Sequence, residues 1–212
     1  MLGREEIVYR ITKGTVVAAA VAAAVVGLGT TEASAAGTYT VTGGGSFTGT
    51  STDTLLTDTT TGTVLTCTTA SASGSATNGT GLSGTDIATV SGATFSSCTG
   101  PAGITFTVSA SNLPWAFNAT SYASGVTTGT LTGVEASISG ACNATFGGTT
   151  SGGPATLTGS YNNSTHTLSI TGGTLIAENV SGLCLGLINN GDSNTFTGDY
   201  ALSPATLQVT SP

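Results

Sequence analysis

Few residues in this 212-residue chain are of a type that could do chemistry. Gly191-Asp192-Ser193 sets a serine in a turn, and a nucleophilic serine needs a base within hydrogen-bond reach and a third group to orient that base. His166 is the only histidine, it precedes the triplet, and no Asp-x-x-His occurs anywhere. With no Asp-x-x-His after the triplet and no group to orient His166 as its base, the Ser193–His166 pair is not adopted as catalytic, and His166 reads as a packed or rim residue. Seven carboxylates follow residue 35, Glu135 and Glu178 among them, but no spacing singles out a pair for glycoside hydrolysis. No catalytic residue and no cofactor is expected.

Asn189-Asn-Gly-Asp-Ser-Asn194 concentrates carboxylate, amide and hydroxyl oxygens in one turn, which makes Asp192 a weak calcium candidate. The alternative is that Asp192 caps backbone amides where a helix stops, and the cap is the reading adopted. Trp115, with Phe117 and Tyr122 nearby, could offer a platform for stacking a sugar, but a lone Trp after Pro114 is more often a core plug.

The elements that must position these groups begin after residue 35. Arg4, Arg10 and Lys13 precede thirteen apolar residues, Val16 to Leu28, and Ala33-Ser34-Ala35 completes the pattern of a cleaved secretory signal peptide, 1–35. Thirteen residues fall short of the roughly 20 that span a bilayer. No Arg-Arg pair precedes them, so the general secretion route is expected. The mature domain, 36–212, then has no Lys or Arg. Nucleic acid and anionic membrane surfaces are disfavoured as partners, because their phosphates are met chiefly by those two residues. Cell-wall glycan or other surface proteins are the partners to expect, and the sequence fixes no oligomeric state.

Leu, Ile, Val and Phe supply only 34 of the 177 residues from 36 to 212. Folding is nevertheless expected, because Ile104, Phe106, Val108 and Ala110 alternate with polar residues, as do Val134, Ala136, Ile138 and Leu168, Ile170. Threonine suits the wet face of such strands. About eleven short strands are predicted, near 38–42, 46–50, 63–72, 86–96, 103–110, 115–122, 128–139, 142–147, 154–161, 165–171 and 195–202, with a last one near 206–210. One short helix is predicted near 181–189, where Val180, Cys184, Leu187 and Ile188 fall at helical spacing before Asn190-Gly191. The class is all-β, an antiparallel β-sandwich or β-barrel.

Four cysteines in an exported chain imply two disulfides. Their spacings of 31, 44 and 42 contain no Cys-x-x-Cys for zinc. Of three connectivities, Cys67–Cys98 and Cys142–Cys184 is favoured, because sequential pairing closes one loop in each half.

Ala93-Thr-Phe-Ser-Ser-Cys-Thr-Gly-Pro101, Leu113-Pro-Trp115, Gly133-Val134, Cys142, and Cys184-x-Gly-Leu-Ile188 with Gly191-Asp192 together resemble a group of exported actinobacterial proteins, small, Gly/Thr-rich and four-cysteine. The resemblance implies secretion and disulfides and supplies no catalytic residues. Three functions stay open: a secreted, non-enzymatic, structural or adhesive β-protein; a module binding glycan or a small apolar molecule; and a barrel of the mycolate outer membrane, which would need aromatic girdles and strands of about 9–11 residues.

Overall fold

The computed structural model describes residues 37–148 and 152–212, so the expected signal peptide lies outside the described residues. Fifteen strands run through them: β1 (Tyr39–Thr42), β2 (Gly45–Ser51), β3 (Thr54–Asp58), β4 (Val64–Ala76), β5 (Gly79–Leu82), β6 (Ala88–Thr99), β7 (Thr105–Ser111), β8 (Trp115–Ala123), β9 (Val126–Gly140), β10 (Cys142–Gly147), β11 (Ala155–Asn162), β12 (Thr167–Gly173), β13 (Leu175–Gly182), β14 (Ser193–Ser203) and β15 (Gln208–Thr210). Every pairing is antiparallel.

Twelve of these strands make eight staves. β4, β6, β9 and β14 are continuous, whereas β2/β3, β7/β8, β10/β11 and β12/β13 are each one stave broken in the middle. The register shows the continuity: Ser203 to Ala201 of β14 face Thr48 to Thr50 of β2, and Gly198 to Asn194 face Thr54 to Asp58 of β3. Each stave pairs with the next in sequence. β14 then returns to β2/β3, so the sheet closes as an up-and-down barrel of the two architectures left open by the sequence. Closure removes the edges that would otherwise invite pairing with another chain.

The breaks have local causes. Asn112 sits between β7 and β8 at φ 55, its amide donating to Gly133 O at 2.8 Å. At the end of β12 the pair Gly172-Gly173 has φ 151 and 120, a region that favours glycine. Inside the wall, the Phe47 ring lies over Gly74, where a Cβ would collide with that ring and with the Thr89 carbonyl oxygen.

The wall is polar outside and apolar inside. Thr50, Ser71, Thr94, Ser109, Ser137 and Thr145 form one row across β2, β4, β6, β7, β9 and β10. Inward go Phe47, Leu65, Val90, Phe117, Leu131, Ile138, Phe146, Leu157, Ile170 and Leu202, all buried.

Both ends are covered. A second sheet, β15-β1-β5, lies over one end, with Val41, Leu207 and Val209 against Phe47, Phe117 and Leu168 of the barrel. The buried Asn163 latches this lid: its Nδ2 donates to Val209 O at 2.7 Å, and its Oδ1 accepts from Val209 N at 2.9 Å. Across the opposite end runs a strap, residues 183–192.

The strap corrects the sequence reading, because the helix expected near 181–189 is absent. β13 continues to Gly182, and two turns follow, Leu187 N donating to Cys184 O at 2.9 Å and Asp192 N to Asn189 O at 3.1 Å. Gly182, Leu185 and Gly186 all have positive φ, which a right-handed helix cannot accommodate. The helical spacing arose from a strand end followed by turns that put Cys184 and Ile188 inward. β3, β5 and β13 are strands that the sequence reading did not place.

Candidate functional site

The inward faces of the staves enclose a cavity of about 90 Å³, running along the barrel from Phe47 and Leu202 near the lid to Phe106 and Phe146 near the strap. Its lining carries no charge. Thr54, Trp115 and Tyr200 bring its only polar side-chain atoms. Trp115 Nε1 is spent on Ser111 O at 2.9 Å, and Thr54 Oγ1 donates to Cys67 O at a long 3.4 Å. The Tyr200 side chain is 6% exposed. Burial pushes its pKa up. Two smaller voids, about 40 and 30 Å³, lie under the strap and the lid.

Trp115 is 6% exposed and forms part of the barrel wall. No face of it is open to stack a sugar at the surface, so the surface-platform alternative gives way to a buried residue. Pro114 turns the chain into β8, whose first inward position is the indole.

The structure separates Ser193 from His166. His166 sits at φ 53 in the turn before β12, not on the apolar face of a strand, with its Nδ1 3.3 Å from the Tyr161 hydroxyl. Its carbonyl accepts from Leu202 N, and Ser193 lies nine residues away down β14. At about 3.4 Å per residue that is about 30 Å, the length of the barrel. No proton can pass between them.

Asp192 is a cap in this geometry: its Oδ2 accepts from Asn189 N at 2.7 Å and from Asn189 Nδ2 at 2.9 Å, closing the last turn of the strap. Among the described residues no three His, Cys, Asp or Glu side chains gather to hold a metal. Glu135 accepts from Ser111 Oγ at 3.2 Å and Glu178 from Gly152 N at 3.2 Å, on strands that β10 separates.

The cysteines pair as Cys67–Cys98 and Cys142–Cys184. The first joins directly opposed residues of β4 and β6, and the second fastens the strap to the start of β10. Thr61 Oγ1 adds a bond to Leu187 O at 2.8 Å, and Ile188 is buried beneath.

No family model, curated protein or solved structure matches this chain. The site must speak for itself. An uncharged cavity lined almost wholly by apolar side chains can hold an apolar guest. Sequence reasoning missed Tyr200, because a tyrosine in an alternating strand looks like any core residue. A signal existed only in the two-residue spacing of Tyr200 and Leu202.

Proposed function

We propose that this chain is an exported, disulfide-fastened β-barrel of the cell surface or extracellular space, working by contact rather than catalysis in a structural or adhesive role. The observation that carries the reading is the polarity of the wall: rows of threonine and serine hydroxyls face outward over an apolar interior. Such a wall presents a dense set of donors and acceptors to glycan or to another surface protein, and offers no cation to nucleic acid or anionic lipid. The two disulfides fit an oxidising extracellular environment. Residues 1–35 supply the expected route, a signal peptide for general secretion. The outer-membrane alternative loses support, because a lipid-facing barrel needs an apolar band outside and this wall has it inside.

The test is fractionation of expressing cells, with N-terminal sequencing and thiol titration of the product. An extracellular or surface-bound chain starting at Ala36, free of titratable thiols and restoring adhesion when added to cells that lack it, is the expected result. A reduced, uncleaved chain retained inside the cell overturns the reading.

The cavity favours a second reading, the binding of a small apolar molecule. Eight-stranded barrels are of the size that side chains can just fill or that can hold one small ligand.

A further inference from the structure

We propose that the strap end of the barrel docks on a neutral lipid surface, with Leu183 and Leu185 as the side chains that enter it. Among the described residues only three large hydrophobic side chains are exposed: Leu183 at 71%, Leu185 at 76% and Val64 at 41%. All three lie at this one end. Leu183 and Leu185 belong to the strap, and Val64 stands between Thr63 and Leu65, which line the void beneath it. The leucines are held outward by the fold. Cys184 between them is buried and tied to Cys142, Leu183 N donates to Ala141 O at 2.7 Å, and Leu187 N donates to Cys184 O at 2.9 Å. Leu185 also sits at φ 54, where glycine would cost the backbone less. Neither packing nor backbone geometry calls for a leucine there, so its reason lies in a contact outside the chain.

The chemistry of the tip selects the partner. Ser181 to Gly191 carry no charge, nor does the turn Gly100 to Gly103, whose Gly100 and Pro101 line the same void. Two leucines and a valine cover far less than the roughly 800 Å² per partner that a stable protein interface buries, so a second copy of the chain does not fit. A lipid surface needs neither that area nor a matched shape, because apolar side chains enter the boundary between headgroups and acyl chains. Residues 36–212 hold seven carboxylates and no Lys or Arg. Anionic headgroups therefore repel the domain, and neutral ones do not.

The experiment is flotation of the oxidised protein with phosphatidylcholine vesicles at rising lipid concentration. The expected result is saturable co-flotation that falls when phosphatidylserine replaces part of the phosphatidylcholine. Leu183→Ser and Leu185→Gly should each weaken it by on the order of tenfold, the worth of one exposed leucine taken out of water. Both variants should melt close to the unaltered protein, since both side chains are exposed and glycine suits φ 54. All chains compared start at the same residue, so a difference between them belongs to the strap. Vesicle binding that neither replacement weakens, or no binding at all, overturns the proposal. Tighter binding to phosphatidylserine vesicles overturns it too, and a dimer that the same replacements dissolve assigns the leucines to a second copy instead.

Discussion

Tyr161 and Tyr200 are the residues whose ionisation the fold most resists. Burial raises Tyr161 from an ordinary 10.0 to about 12 and raises Tyr200 as well. The unfolded chain loses these protons from about pH 10, whereas the folded chain holds the Tyr161 proton to about pH 12. Their contribution to stability is therefore complete below pH 10 and is lost as pH rises through the folded values. A melting temperature that falls between pH 10 and 12, and falls less in a Tyr161→Phe/Tyr200→Phe double variant, is the expected outcome; an unchanged slope contradicts it. Gly74→Ala is the sharpest steric test, since neither the Thr89 carbonyl nor the Phe47 ring can give way without opening β4 from its neighbours. A loss of about 2–3 kcal/mol in urea unfolding is expected. At this scale the sequence was partly readable. The sequential cysteine pairs followed from chain order, whereas Asp192 was expected to cap a helix end and instead accepts from Asn189 N within a turn. His166 was not readable, because alternation with Leu168 and Ile170 placed it on a strand that begins one residue later.

Among elements, the strap and the lid differ in how they are fastened. Cys142–Cys184 closes a loop of 42 residues, worth about 3–4 kcal/mol on the chain-entropy argument. The barrel pairings do not run through it. Because the chain-entropy effect acts on the unfolded chain, a Cys142→Ser/Cys184→Ser variant should lose about that stability in urea unfolding, with exchange accelerated in the staves and further accelerated in 183–192; staves that exchange as in the unaltered protein would contradict this. The lid is held without a covalent link, by apolar packing, by Tyr161 donating to Leu207 O at 2.8 Å and by the Asn163 amide. Asn163→Ala leaves Val209 N and O without their partners and should cost about 1–3 kcal/mol, read as early exchange of β1 and β15 ahead of the staves. Legibility follows the same division. β7, β9 and β12 announce themselves by alternation, because one face is wet and the other dry. β3 does not, since Leu55 and Leu56 are adjacent, one on each face of the sheet. The strap mimics a helix because inward residues at turns have no period of their own.

For the whole molecule, the absence of Lys and Arg from 36–212 means that trypsin finds no site there, folded or unfolded. Digestion after reduction and denaturation should leave the mature chain intact, starting at Ala36; a tryptic peptide starting at Gly14, after Lys13, contradicts the cleavage site. The all-β class was legible in the threonine-rich alternation, whereas closure was not, because which edges meet is a matter of shear and stave number that no local pattern records. The cavity was hidden for the same reason: it is a shape left between staves that are distant in sequence. Closure also sets an order on events. The seam joins β2 and β3, among the first strands made, to β14, among the last. A chain emerging from a ribosome or a membrane channel has both seam edges bare until residue 203 is through, and no shorter fragment can complete the ring. The final fold is therefore an act of the finished chain.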